Sequence, residues 1–327
     1  MWQIYHEEIP PFIRELAATD AMRRLKDIGM NCGLEYTSFP VYKDVGPYSR
    51  YGHSVGTALI VWHFTQDRRQ AVAGLMHDIS TPVFAHVVDF LNGDHLSQES
   101  TEEKTRDFIV GSGEIMALLR KYGLAVDEVS DYHRYPVADN DAPRLSADRL
   151  EYTLSNMVNY QGWTLDEAAA CYRDLTVIPN EDGMDEIAFL SKEPANAFTQ
   201  AALANSKVYV ADADRYAMQY LADILRLALE RNVLNDADLY TTEPSVIKKL
   251  TGAGETAPLW AQFRGFSEMR RRDGNPGLPS WLSVDAKKRY IDPLISGYGR
   301  VSCVSAEIKT QIDEFLDGSF DYWITAT

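Results

Sequence analysis

Histidine and aspartate recur in one stretch of the sequence in a pattern that suits a bound cation. Arg50-Tyr51-Gly52-His53-Ser54-Val55-Gly56 is followed by Leu75-Met76-His77-Asp78-Ile79, and then by Phe84-Ala85-His86-Val87-Val88-Asp89. Four of the seven histidines fall here: His53, His63, His77 and His86. An adjacent His-Asp pair meets one cation when a helix end directs both side chains to the same side. Imidazole nitrogen with carboxylate oxygen suits Mn, Fe, Zn, Ni or Mg to differing degrees. Two ligands are too few, and His53 can supply a third from a neighbouring helix. The fourth is expected to be a carboxylate further along the chain. Asp148, in Ser146-Ala147-Asp148-Arg149-Leu150-Glu151-Tyr152, is the best candidate. It leads an apolar helix, where a carboxylate also favours the N-terminal dipole.

Helices must position these groups. Apolar periodicity predicts a short helix from Asp20 to Gly29, then helices over about 53–67, 69–79 and 84–91, with Pro82 in the first turn of the last. Further helices are expected over about 101–110, 147–160, 165–175, 196–231 and 306–316. Residues 33–50 read as an irregular connection and 176–195 as a turn-rich spacer. Beyond about residue 250 the chain is rich in Gly and Pro, with an extended stretch near Arg300–Val304. The expected class is mainly α, with a mixed C-terminal portion.

Composition limits the function. The chain has 327 residues, 45% hydrophobic and 24% charged, which excludes a disordered or collagenous chain. Its net charge of −16 makes nucleic acid a poor partner, although a basic pocket for a small anion fits inside an acidic surface. Three widely spaced cysteines, Cys32, Cys171 and Cys303, form neither a disulfide framework nor a zinc ribbon, and read as buried free thiols. The sequence opens without a basic, then apolar, leader and has no run long enough to span a bilayer. A cytoplasmic location without membrane contact is expected.

The order His53, His77-Asp78, Asp148 resembles the HD superfamily of metal-dependent phosphohydrolases, most closely the branch of deoxynucleoside triphosphate triphosphohydrolases. Arg50–Gly56 matches an Arg-x-x-His-Ser-x-Gly motif. Pro82–His86 is similar to a Pro-Phe-Ser-His turn with one added residue, and Asp148–Tyr152 to an Asp-x-x-Asp-Tyr motif with Glu151 in the second acidic place. The likeness covers about residues 10–235, with a weaker echo at Arg289–Leu294. It implies an HD-type helical metal-binding domain over 1–235, and a mixed helical and extended portion, 236–327, packed on it.

The resemblance implies further that His53, His77, Asp78 and Asp148 hold one divalent metal. It makes Arg50 a phosphate contact, His86 a general acid or relay, and Asp89 its orienting carboxylate. Arg149 and Tyr152 match positions that approach substrate phosphate or sugar, although both also read as packing residues. The implied partner is a small phosphorylated substrate, with a nucleotide as the first choice. Related proteins often self-associate, which makes a homo-oligomer a further expectation. Thr81 stands near a place where these enzymes carry a further histidine. Ser100-Thr101-Glu102-Glu103-Lys104 stands where they carry a His-Glu pair, with His95 too early to supply it. Asn156 takes an acidic position expected to read the sugar. These departures support an alternative, a regulatory protein that binds metal and nucleotide with little turnover. His6, His95 and His133 have no partner pattern, and Arg270-Arg271-Arg272 reads as a solvated face.

Overall fold

Ser49 starts the helix that carries the first histidine. The computed structural model describes residues 1–43, 45–93 and 104–327. Helix Arg50–Thr65 begins three residues before the expected start, because the Ser49 hydroxyl accepts from the Gly52 N–H at 3.3 Å. Such a cap satisfies a donor that the first helical turn leaves open. Arg50 and His53 therefore stand one turn apart on neighbouring positions of one face. Asp67 caps the next helix, Arg68–Met76, by accepting from the Arg69 N–H at 2.8 Å. The two helices approach closely at Gly74, where an added Cβ would sit 3.4 Å from both Thr57 and Val61. That approach brings His77, just past the second helix, against His53.

The helix expected from Phe84 begins only at Val87 and runs to Asn92. Phe84 and Ala85 have φ of +58° and +46°, which no right-handed helix accommodates, so Pro82 lies in a turn and not in a first helical turn. Phe84 is fully buried, its ring 6.3 Å from that of Tyr36 and 6.1 Å from that of Trp260. The expected beginning of a helix at Thr101, the Glu102-Glu103 charges and His95 lie outside the described residues. A helix spans Thr105–Gly111.

Helix Ala147–Gln161 matches expectation: Ser146 caps it and Gly162, at φ +70°, ends it. The expected spacer after it is instead a β-hairpin, Leu175–Pro179 against Asp185–Phe189, in register from Leu175↔Phe189 to Pro179↔Asp185. Its turn residues are a hairpin loop, in which the Asn180 side chain accepts from the N–H groups of Asp182 and Met184. Leu294–Ile295 adds a parallel strand to this hairpin, and Gly299–Arg300 an antiparallel one. The extended stretch expected over 300–304 is thus only its first residue; Val301–Val304 is a helical turn.

The single helix expected over 196–231 is two, Lys192–Tyr209 and Asp212–Glu230. Extended backbone at Ala211 breaks it. Fully buried Arg215 braces the break, donating to the Val210 carbonyl at 3.1 Å and to Asp212 at 2.7 Å. Buried polar groups need such partners.

Helices account for 58% of the chain and the sheets are small, so the class is mainly α. One core joins the His53, His77 and Asp148 helices to Lys192–Tyr209 and to Ile291–Phe315. A second lies under Asp212–Glu230 and includes Leu234–Phe266 and Ile324. The segment beyond 235 therefore contributes to both. Cys32 and Cys171 are buried free thiols, whereas Cys303 is exposed, unlike the expectation. Among the described residues no helix is long and apolar enough to cross a membrane.

Candidate metal centre

Three of the four expected ligands converge. One donor atom each from His53, His77 and Asp148 lies within 4.8 Å of the others. His53 Nε2 is 2.8 Å from Asp148 Oδ1 and 3.2 Å from His77 Nε2. Asp78 Oδ2 stands slightly further off, 3.5 Å from His77 Nε2 and 4.0 Å from His53 Nε2. Both histidines and Asp78 are buried.

The tautomers of the two rings follow from their outer partners. His77 Nδ1 faces the Gly74 carbonyl at 2.7 Å, and His53 Nδ1 faces Glu151 Oε2 at 2.7 Å. Both partners only accept, so each Nδ1 carries the hydrogen, and in the neutral ring each Nε2 presents a lone pair. Two lone pairs then face each other at 3.2 Å beside two carboxylates. Such a centre calls for a cation, and its nitrogen and oxygen donors suit a divalent metal. A proton can take that place. Burial lowers the His53 pKa, but its hydrogen bonds to Asp148 and Glu151 outweigh this and carry it up to about 10.

Asp78 is held from outside the centre. Arg50 donates to its two oxygens at 3.3 and 3.2 Å, and Thr81 Oγ1 donates to Oδ1 at 2.8 Å. Burial raises its pKa, but Arg50, His77 and His53 prevail and hold it well below the usual carboxylate range. The same contest, won by His53, holds Asp148 low. Thr81, noted in the sequence as a departure, thus has a place in the site.

Sequence reasoning missed Glu151 as a positioning group. It is 1% exposed, and besides His53 it accepts from Tyr48, from Ser155 at 3.0 Å and from Tyr5 at 3.4 Å. Its signal was present, since Asp148 and Glu151 are three apart on one helix face. Glu151 also explains Gly56, where an added Cβ would stand 2.6 Å from Glu151 Cγ. Gly56→Ala is expected to destabilise the fold by about 1–3 kcal/mol, as overpacking does, which chemical denaturation will measure. Glu151→Gln is expected to weaken metal affinity about 10–100-fold, the usual cost of an altered outer partner. An unchanged affinity in a metal titration would remove this role.

A cavity of about 1100 Å³ opens onto the centre. Arg50, His86, Arg149 and Tyr152 line it. His86 Nδ1 is paired with Asp89 Oδ2 at 2.8 Å, and Asp89 is fully buried. Burial lowers the His86 pKa, with Arg50 and Arg289 adding to the effect against Asp89. The Arg149 guanidinium is engaged by the 139–146 loop, donating to Asn140 Oδ1 at 2.8 Å and Ser146 Oγ at 3.0 Å and pairing with Asp139 at 3.2 Å. The Tyr152 ring lies 6.4 Å from that of His53 and 6.4 Å from that of Tyr209. Lys287 and Arg289 add positive charge to the wall, within an otherwise acidic protein.

The lining of the same cavity includes further polar groups. Asn156 donates to the Tyr209 hydroxyl at 2.7 Å, while its buried Oδ1 has no hydrogen-bond partner. The Tyr42 hydroxyl donates to Asp214 at 3.2 Å, and burial pushes the Asp214 pKa up to about 8.

No family model matches the chain. It is 31% identical over 204 residues to the uncharacterized protein YdhJ of Bacillus subtilis, a match covering 62% of this chain and 61% of the relative. It is 26% identical over 181 residues to the metal-dependent phosphohydrolase cns2 of Cordyceps militaris, covering 54% of this chain and 50% of that protein. The matched region thus spans about half to three-fifths of these curated relatives. A crystal structure of a phosphohydrolase from Bacteroides thetaiotaomicron superposes with a TM-score of 0.61, at 14% identity, over 98% of this chain and 96% of the other. At that identity the likeness establishes fold alone: this chain has the fold of that phosphohydrolase.

Proposed function

We propose that the protein is a metal-dependent phosphohydrolase of the HD superfamily, acting on a nucleotide or another small phosphate ester. The observation that carries this reading is the convergence of ring nitrogens of His53 and His77 with an Asp148 oxygen, and Asp78 beside them. The similarity to the metal-dependent phosphohydrolase of Cordyceps supports it. In this reading Asp78 is the fourth ligand, and the ion is Mn, Fe, Ni, Zn or Mg. A divalent cation held there supplies a more acidic water and offsets phosphate charge.

The chain's own residues do the rest. Arg50 is buried beside Asp78 and binds phosphate with a fixed positive charge. The cationic wall of Lys287 and Arg289 draws an anion into the cavity. His86, oriented by Asp89, moves a proton during hydrolysis. Tyr152 packs along the bound molecule, and the polar lining around Asn156 and Tyr209 takes an uncharged, hydrogen-bonding part such as a sugar or base. The orphan acceptor of Asn156 suits a donor on that part.

The test is phosphate release from a panel of nucleotides and small phosphate esters, with each of the five metals and with EDTA. Turnover that requires metal is the expected result. Nucleotide binding without turnover under every condition would replace the enzyme by a regulatory binding protein.

A further inference from the structure

The guanidinium of Arg24 grips the chain just past the His77-Asp78 pair. Nη2 donates to the Ile79 carbonyl at 2.8 Å and to the Thr81 carbonyl at 2.9 Å, and Nη1 donates to the Thr241 carbonyl at 3.2 Å. The local backbone explains why such a donor is needed. Helix Arg68–Met76 ends just before the pair, and Ile79, Ser80 and Thr81 are fully buried. Carbonyls placed there meet neither a next helical turn nor water, so their partners must come from elsewhere in the chain. A planar guanidinium serves several acceptors at fixed angles, which a lysine ammonium does not.

The turn held in this way is the one that fixes Asp78. The Thr81 N–H donates to the Asp78 carbonyl at 2.9 Å, and the Thr81 hydroxyl donates to Asp78 Oδ1 at 2.8 Å. Thr81 thus links Arg24, at its carbonyl, to the Asp78 carboxylate, at its hydroxyl. Arg24 is itself well placed by packing, with its guanidinium carbon 5.3 Å from the Phe108 ring centroid. Burial lowers its pKa to about 10, against the attraction of Asp78 and Tyr240. The segment beyond 235 shares in the brace. Besides the Thr241 carbonyl on Arg24, the Leu239 carbonyl accepts from the Val83 N–H at 2.7 Å.

We infer that Arg24 is a positioning residue of the metal centre: it holds the 79–81 turn so that Thr81 presents its hydroxyl to Asp78 and fixes that carboxylate beside His53 and His77. The inference rests on the phosphohydrolase reading, in which Asp78 is the fourth ligand. Arg24 acts through Thr81 and is not itself a ligand or a substrate contact. Its removal frees the turn carbonyls to seek other donors, and the Thr81 hydroxyl moves with them.

The test is titration of the metal-free full chain with Co²⁺, read by its visible absorption, which reports ligand number and geometry as well as affinity. Arg24→Met removes the fork and the charge, Arg24→Lys keeps the charge alone, and Thr81→Val removes the hydroxyl. Each is expected to weaken Co²⁺ binding about 10–100-fold and to alter the spectrum, as the loss of an outer partner does. Combining either Arg24 change with Thr81→Val is expected to weaken binding no further than the more affected single variant, because both act through one hydrogen bond. If Arg24→Met does not fold, Arg24→Lys alone and combined decides the matter. Affinity and spectrum within about twofold of the wild type, even with a lower melting temperature, would reduce Arg24 to a folding role and overturn the inference. Losses that multiply in the combined variant would also overturn it, since Arg24 would then act by another route. Both results leave the phosphohydrolase reading intact, whereas a wild-type protein that binds no Co²⁺ would overturn the two together.

Discussion

Asp148→Ala is expected to lower metal-dependent phosphohydrolase activity at least about 10³-fold, because the several kcal/mol supplied by a bound cation go with the site. Asp148 Oδ1 is 2.8 Å from His53 Nε2, closer than Asp78 at 4.0 Å, and as near as Asp78 to His77 Nε2, at 3.5 Å. Removing it leaves two facing imidazole acceptors with Asp78 alone to balance a cation, and Asp78 is already engaged by Arg50 and Thr81. The fold is expected to survive. Asp148 sits at the start of its helix, where a carboxylate contributes about 0.3–1 kcal/mol through the dipole. Paired kinetics at saturating metal and a thermal melt separate the two effects. Activity within about tenfold of the wild type, with the melt unchanged, would dismiss Asp148 as a ligand.

His86→Asn is expected to cost about 10²–10⁴-fold in kcat, the range of a lost proton-transfer group, with metal content unchanged. The pair with Asp89 is the structural basis, since a buried carboxylate at 2.8 Å fixes the ring. The sign of the pH dependence follows. Burial, aided by Arg50 and Arg289, lowers the His86 pKa, so its neutral form persists to lower pH than in a free histidine. If the neutral form is the active one, kcat/KM falls on the acid side with a midpoint below the ordinary value of ~6.5. That limb should be absent from the His86→Asn profile. An unchanged acid limb in the variant would assign the titration to another group.

The candidate ligands were legible in the sequence because they lie on regular elements. His53 falls in a helix whose apolar positions are clear, His77 and Asp78 mark the end of the next, and Asp148 follows a serine cap. Long-range convergence could not be read from spacing; it depends on the close approach of two helices at Gly74. The contact between His133 and Asp139 was not legible. His133 and Asp139 are six residues apart through an irregular loop, where no periodicity announces a contact. The hairpin was misread for a related reason, because Asn180–Gly183 carries the same turn residues in a spacer as in a hairpin loop. The break at Val210-Ala211 was hidden because helical periodicity continues on both sides, and the residue that compensates it, Arg215, is polar and buried.

The central claim is tested most directly by elemental analysis of protein purified without chelator, before and after His53→Ala. The account predicts one equivalent of a divalent metal in the wild type and a large loss in the variant. A wild-type protein that holds no metal, takes up none on dialysis, and still turns over phosphate esters in EDTA would contradict it.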